Sequence, residues 1–183
     1  YMRIAVVGPQ NTGKTTFIKD FIQAFPEYVT PSKTYRDVVS QQSLAINQGA
    51  TVESQKVLID FYRDQMVKNL EPNIIFDRCL IDGYAYSAYL KELGRFEESF
   101  IKEIYDLLYK HIDTIDMIVL IPTALSVGLV DDRLRDTDKT FIDAINRIFI
   151  NTLLEVSRKT KLKIVTVTGD RGKRMDLMKE VLK

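Results

Sequence analysis

The sequence has few of the residues from which disulfide-bonded folds and metal centres are built. It contains one cysteine and one histidine among 183 residues. A disulfide framework needs paired cysteines, and a zinc site needs several Cys or His ligands at close spacing, so both are excluded. No apolar run approaches the roughly 20 residues of a membrane-spanning helix, and the start of the chain shows no signal-peptide pattern. We therefore expect a cytoplasmic protein with no membrane partner.

An excess of one charge sign is also missing. The chain has 26 basic and 25 acidic side chains, which leaves a net charge of +1. Binding of long nucleic acid depends on clustered positive charge, so this balance argues against extended duplex binding. The one basic stretch is local, because residues 158–183 contain nine basic and three acidic side chains. A single DNA end or modified base as a reaction partner stays open.

Short apolar runs alternate along the chain with stretches of helical periodicity. Connections between parallel strands need crossovers, and the crossovers here have helical patterns. The sequence therefore predicts one α/β domain over residues 1–183, in which helices cover both faces of a five-stranded parallel sheet. The predicted strands are 4–7, 28–30, 73–76, 117–121 and 163–167.

The most specific motif lies between the first predicted strand and the first predicted helix. Residues 8–15 match the pattern G-x-x-x-x-G-K-[ST], in which backbone N–H groups surround phosphate oxygens at the positive end of a helix. Lys14 supplies charge to the β- and γ-phosphates, and the Thr15 hydroxyl can ligate Mg²⁺. We therefore predict binding of ATP and Mg²⁺. The nucleotide-binding residues are expected to be Gly8, Gln10, Asn11, Thr12, Gly13, Lys14, Thr15 and Thr16.

A carboxylate and an arginine end the third predicted strand, at Asp77 and Arg78. The carboxyl ends of parallel strands converge on the ligand crevice, so Asp77 is expected to face the phosphates held by Lys14. There it binds Mg²⁺ or accepts a proton from a hydroxyl nucleophile; the competing interpretation is a cap on the following helix. Arg78 either holds an anionic substrate or pairs with a neighbouring acid. We predict both as catalytic residues, and Asp77 also as a metal ligand.

Two further arginines lie in the polar stretch after the fourth predicted strand, at Arg133 and Arg135. Phosphoryl transfer develops charge on the transferred group, and arginines that close over it compensate that charge and exclude water. We predict both as catalytic residues. The competing interpretation is a solvated charged loop with weak local ion pairs.

Four segments occur together in chain order: Gly8–Thr15, Asp77-Arg78, Asp82 followed by Ala85-Tyr86, and the stretch 131–136. This combination resembles P-loop nucleoside and nucleotide kinases. Within them it is most similar to thymidylate-kinase-like and ribosylnicotinamide-kinase-like proteins, including small AAA-type ATPases of phage and bacteria.

The resemblance carries expectations of its own. It implies a sheet order of 2-3-1-4-5 and a lid over ATP made by a segment around 123–140. It implies an acceptor site between residues 30–50 and 78–100, and a place for the loop 169–173 near the adenine, where Arg171 would contact the nucleotide.

The expected activity is Mg·ATP-dependent transfer of the γ-phosphoryl group to a nucleoside, a nucleotide or a related hydroxyl or phosphate acceptor. Two alternatives stay open: a kinase that acts on a base or end in DNA, and a nucleotide-gated binding module with ATPase activity. A GTPase is disfavoured because no Asn-Lys-x-Asp sequence occurs. The chain is expected to be a monomer or a homodimer.

Overall fold

A computed structural model of the protein describes residues 2–10, 12–123 and 136–183. Within them, four parallel strands form one sheet in the order β2-β1-β3-β4. The strands are β1 (Arg3–Val7), β2 (Ile74–Asp77), β3 (Met117–Leu120) and β4 (Lys163–Thr166).

The prediction of a five-stranded sheet in the order 2-3-1-4-5 is wrong, because the sheet of the described residues has four strands and lacks the second predicted one. The predicted strand at 28–30 contributes only an isolated parallel bridge between Val29 and Ile74. Val29 accepts from the amide of Ile75 and donates to the Asn73 carbonyl, but Pro31 has no N–H with which to continue the ladder. This segment therefore borders β2 without becoming a strand.

Seven α-helices are present in the part of the chain that the structure describes. Three of them connect β1 to β2, two connect β2 to β3, one precedes β4 and one follows it. They are α1 (Lys14–Ala24), α2 (Tyr35–Gln42), α3 (Val52–Lys68), α4 (Leu80–Glu92), α5 (Glu98–His111), α6 (Asp136–Lys159) and α7 (Arg171–Val181). None of the described helices is long and apolar enough to cross a membrane.

The side chains of β1 alternate between two apolar layers, as the pleat of a strand requires. Ile4 and Val6 pack with residues of α1 and α7 on one face of the sheet. Ala5 and Val7 pack with residues of α3, α4, α5 and α6 on the other face. The expectation of helices on both faces is confirmed. Because all four strands are parallel, their carboxyl ends lie at one edge of the sheet.

Candidate active site

The loop after β1 is shaped by two glycines. Gly8 has φ 143°, and a Cβ added there would lie 2.2 Å from the Ile121 carbonyl oxygen, so no other residue fits. Gly13 has φ 85° and precedes the first residue of α1. The start of α1 has neither a capping side chain nor an acidic residue in its first turn. Its free N–H groups and positive dipole end are therefore left to an anionic ligand.

Lys14 opens α1 and is only 6% exposed. Its ammonium group donates to the Pro9 carbonyl and, over 3.2 Å, to the Thr12 hydroxyl. Burial lowers the pKa of Lys14 to about 7, and the positive charge of Arg78 acts in the same direction. A bound phosphate group would therefore stabilise the charged form of Lys14, because it would compensate the buried positive charge.

The Thr15 hydroxyl accepts a hydrogen bond of 2.8 Å from Arg36 Nη1, which reaches it from α2. The adjacent Thr16 lies in the first turn of α1 and lines a cavity on the far side of the loop. The backbone N–H of Gln10 donates over 3.0 Å to the Tyr86 hydroxyl on α4. The loop is thus held from two neighbouring helices.

Asp77 is the last residue of β2 and stands in register with Val6 of β1, two residues before Gly8. Its charge acts on Lys14, where it opposes the lowering of the pKa. The alternative that Asp77 caps the next helix is wrong, because Asp82 accepts from the Cys79 amide at the start of α4 over 2.9 Å. This leaves the Asp77 carboxylate near the phosphate loop.

Arg78 adopts φ 73°, a left-handed conformation that is strained for a residue with a side chain. It is 6% exposed, and its Nη1 lies 3.6 Å from Asp82 Oδ1. Its guanidinium carbon lies 4.4 Å from the centre of the Tyr35 ring. Arg78 Nε is buried and has no hydrogen-bond partner among the described residues. The strain and the unpaired donor are typical of a group positioned for a ligand.

Asp82 links Arg78 to the phosphate loop. Besides the Cys79 amide, it accepts from the backbone N–H of Gly8 over 3.4 Å, and it is 1% exposed. Burial raises the pKa of Asp82 to about 6, while the charges of Arg78 and Lys14 oppose that shift. Three charged groups therefore share one buried network beneath the loop.

A cavity of about 30 Å³ adjoins Arg78 and Asp82. It lies between α2, α3 and α4, within the region where the resemblance places the acceptor. Gln55 is buried at its wall, where its Nε2 donates to the Gly83 carbonyl over 3.1 Å. Its other lining residues are Tyr35, Ile46, Asn47, Leu58, Tyr62, Gly83 and Tyr86.

A larger cavity, of about 430 Å³, lies on the other side of the phosphate loop, between α1 and the start of α7. Arg171 lines it and forms an ion pair with Asp20, with atom separations of 2.7 and 3.0 Å. Arg174 crosses from α7 to the loop, where its Nη1 donates to the Thr12 carbonyl over 3.1 Å. The loop at Gly169, which the resemblance puts near the adenine, forms part of the wall.

The structure thus brings together the predicted residues Gly8, Gln10, Thr12, Gly13, Lys14, Thr15, Thr16, Asp77 and Arg78 around one loop, with Arg171 at the adjoining cavity. Asn11, Arg133, Arg135 and most of the segment proposed as a lid lie outside the described residues.

Sequence reasoning missed Tyr35, Tyr62 and Gln55 in the smaller cavity. A signal for Gln55 was present, since it shares the helical spacing of the apolar Leu58, Ile59 and Tyr62. A polar side chain within such a stripe becomes buried and needs a partner or a ligand. Tyr35 carried no comparable signal.

The described residues contain no cluster of three or more His, Cys, Asp or Glu side chains that could hold a metal ion. The nearby oxygen donors are the Thr15 hydroxyl and the Asp77 carboxylate. Such a sparse set of hard ligands fits Mg²⁺, which is commonly held by one or two protein ligands together with phosphates and waters.

Comparison with solved structures shows the same architecture in known kinases. Deoxyadenosine kinase from M. mycoides, solved with the products dCMP and a flexible dCDP bound, gives a TM-score of 0.72 at 16% identity over 99% of this chain and 98% of that chain. Thymidylate kinase from Ehrlichia chaffeensis gives a TM-score of 0.63 at 19% identity over 100% and 98%. These likenesses show the fold, and they confirm the resemblance to P-loop nucleoside and nucleotide kinases.

The NadR protein, solved in complex with NR, gives a TM-score of 0.61 at 17% identity. It covers 91% of this chain, which spans 45% of that longer protein. No curated protein matches the sequence significantly. A family model described as an AAA domain matches residues 3–174.

Proposed function

The chain belongs to this AAA domain family, and we propose that it is a Mg·ATP-dependent kinase that phosphorylates a nucleoside, a nucleotide or a related small acceptor. The observation that carries the proposal is the position of Asp77 and Arg78. Asp77 ends β2, the strand next to β1, and Arg78 follows it, so that a carboxylate and an arginine lie beside the phosphate loop and Arg78 lines a second cavity.

The phosphates of ATP would bind to the N–H groups of the loop and of the first turn of α1, with Lys14 on the β- and γ-phosphates. The base and ribose would lie in the 430 Å³ cavity beside Arg171. In this arrangement Lys14 exchanges its present partners, the Pro9 carbonyl and the Thr12 hydroxyl, for phosphate oxygens. Its charge is then compensated inside a buried site.

Thr15 would hold Mg²⁺ directly and Asp77 through water, and the ion when bound would supply positive charge to the β- and γ-phosphate oxygens. For a hydroxyl acceptor, Asp77 takes the hydroxyl proton as the acceptor oxygen bonds to the γ-phosphorus and the bond to the bridging oxygen breaks. Arg78 donates to the acceptor from its unpaired Nε. The products are the phosphorylated acceptor and ADP.

The likeness to three groups of solved structures supports an acceptor of nucleoside type. Two of those groups were solved with ligands of this type, the deoxyadenosine kinase with dCMP and dCDP and the NadR protein with NR. In this chain, Tyr62, Tyr86 and the Gln55 amide line the smaller cavity beside Tyr35. Aromatic faces and an amide are suited to stacking and to hydrogen bonds with a base.

Incubation of the protein with Mg²⁺ and γ-labelled ATP against a panel of nucleosides and nucleotides tests this function. We expect label transfer to at least one member of the panel, and no transfer by Lys14→Ala. Release of phosphate to water alone, across the whole panel, contradicts the proposal and favours the ATPase-type binding module.

A further inference from the structure

Two adjacent residues at the start of α2 reach into opposite halves of the site. Tyr35 lines the smaller cavity and covers Arg78, whereas Arg36 contacts Thr15 on the phosphate loop. In the proposed reaction, Arg78 donates to the acceptor and the Thr15 hydroxyl holds Mg²⁺, so both contacts occupy groups that the substrates need. Their common origin in one helical turn links the two halves.

Tyr35 fills the space that an acceptor would need. Its ring lies on the Arg78 guanidinium, and its hydroxyl accepts from Arg78 Nη2 over 3.4 Å. The remaining cavity of about 30 Å³ has room for about one water molecule. Sites for small organic ligands measure roughly 300–1,000 Å³. An acceptor with a ring of its own therefore has to displace Tyr35.

Arg36 occupies the hydroxyl that would ligate the metal. Its Nη1 donates to Thr15 Oγ1 over 2.8 Å. This hydrogen bond takes up a lone pair of the oxygen, and the guanidinium brings a positive charge to the place of a divalent cation. Because the oxygen keeps a second lone pair, it is mainly this positive charge that disfavours Mg²⁺ at Thr15 while Arg36 stays in its present position.

The start of α2 is built to move as a unit. Thr34 and Asp37 form a capping box, in which the Thr34 amide donates to the Asp37 carboxylate over 2.8 Å. Within α2 only Val38 is fully buried, and Tyr35 and Val39 are partly buried against the same core cluster, so three apolar side chains hold this helix on the protein. Elements with so little buried surface are the ones that open at low cost.

We propose that the first turn of α2 is a latch that closes the acceptor site through Tyr35 and the metal-ligating hydroxyl of Thr15 through Arg36 at the same time. Since the two residues are adjacent in one capped turn, a displacement of that turn withdraws both. The inference rests on the proposed function. Its consequence is reciprocal coupling, in which acceptor and Mg·ATP each raise the affinity of the other by the same factor. Without acceptor, the latch opposes assembly of the metal site and so limits hydrolysis of ATP.

Binding of a fluorescent, non-hydrolysable ATP analogue to the whole protein, titrated with Mg²⁺, tests the Arg36 contact without any turnover. Mg²⁺ is expected to enhance binding of the analogue, and the Mg²⁺ concentration at half of the full enhancement is the midpoint. In Arg36→Ala this midpoint is expected to fall about fivefold, which corresponds to the free energy of one hydrogen bond. Lys33→Ala, which removes an exposed positive charge from the same segment, is the matched control and is expected to change it less than twofold.

The sequence has no tryptophan, so Tyr35→Trp introduces a single fluorescent reporter at the latch. With a non-fluorescent form of the ATP analogue, addition of Mg²⁺ is expected to shift the emission of the introduced indole to the red as the ring leaves Arg78. The analogue alone is expected to leave the emission unchanged. In Tyr35→Trp combined with Arg36→Ala, Mg²⁺ no longer changes the emission, because the link to Thr15 is cut.

The outcomes separate the two proposals. If the wild-type protein binds the analogue but neither the Mg²⁺ midpoint of Arg36→Ala nor the emission of Tyr35→Trp changes as described, the latch is wrong and the kinase proposal stands. An equal fall of the midpoint in Lys33→Ala also overturns the latch, because general charge then explains the effect. Failure of the wild-type protein to bind the analogue at all overturns both.

Discussion

The two halves of the site on either side of the phosphate loop are built from different material. The half proposed for ATP, here called the donor half, is a cavity of about 430 Å³ lined by residues of the loop, of α1 and of the start of α7, including Arg171. The half proposed for the acceptor, here called the acceptor half, is lined mostly by residues of three helices, including Arg78, and measures about 30 Å³. Only the donor half has the volume of a typical small-molecule site in this structure.

The halves also differ in how their charges are held. The Arg171–Asp20 pair of the donor half has an arginine side chain that is 72% exposed, and such surface pairs contribute little to stability. In the acceptor half, the side chains of Arg78 and Asp82 are 5% and 0% exposed. Removal of one partner there leaves a buried charge uncompensated. Substitution of the exposed pair should therefore leave folding nearly unchanged, whereas substitutions in the buried network of Lys14, Arg78 and Asp82 should change the free energy of unfolding.

The largest expected effect is in the donor half, at Lys14. Lys14→Met is expected to lower turnover about 1,000-fold, through loss of charge at the β- and γ-phosphates. The same change is expected to raise the free energy of unfolding at pH 6 by on the order of 2 kcal/mol, because the buried ammonium no longer has to be desolvated. Steady-state kinetics and denaturant titration measure the two effects.

The stabilisation by Lys14→Met should depend on pH. The pKa of Lys14 is about 7 in the folded protein and lies near 10.5 without the protein environment, so the cost of the charge is complete below pH 7. It declines between pH 7 and 10.5, where only the unfolded chain binds the proton. A gain in stability that stays constant up to about pH 10 contradicts the assignment of this cost to Lys14.

The next effect concerns the acceptor half. Asp82→Ala is expected to lower the free energy of unfolding by about 3 kcal/mol, because Arg78 keeps its buried charge without a partner. Urea denaturation at pH 7 measures the loss. The matched control is Asp106→Ala, which breaks an exposed pair with Lys102 of 3.1 Å and should cost at most about 0.5 kcal/mol. Equal costs for the two substitutions would show that burial does not distinguish them.

The third prediction concerns Asp77, which lies beside the phosphate loop, between the two halves. Asp77→Asn is expected to reduce turnover about 100-fold, since the amide cannot take the proton of a hydroxyl acceptor. Affinity for the nucleotide in the absence of Mg²⁺ should stay within about threefold of wild type, because the loop and Lys14 remain. A loss of nucleotide affinity as large as the loss of turnover would place Asp77 among the phosphate-binding groups instead.

The smallest expected effect is the pH dependence of nucleotide binding. A bound phosphate favours the charged form of Lys14, whose pKa in the free protein is about 7, so binding takes up a proton above that pH. Affinity should therefore fall as the pH rises, by about fivefold between pH 7 and 8. Calorimetric titration measures affinity and proton uptake together. Lys14→Arg, which stays charged, should show no such fall; if it does, the titrating group is another one.

How well the sequence predicted the molecule depended on how local each feature is. The four strands were predicted to within one residue at each end because each is a short apolar run. The additional strand predicted at 28–30 is absent. Whether a segment at the edge of a sheet pairs with the adjacent strand depends on that strand and, here, on the missing amide of Pro31. The interpretation of Arg78 was left between a substrate ligand and an ion pair. The structure shows the ion pair with Asp82 together with an unpaired Nε, so the two interpretations are compatible.

By itself, the sequence determined the phosphate loop, because Gly8, Gly13 and the start of α1 act through a few consecutive backbone groups whose conformation is local. The balance of 26 basic and 25 acidic side chains did not reveal where charge is concentrated. Only the tertiary structure decided that Lys14, Arg78 and Asp82 share one buried network and that Tyr35 and Arg36 cover it from α2. These contacts join residues that are far apart in the chain, and their energies depend on burial and distance, which packing alone supplies.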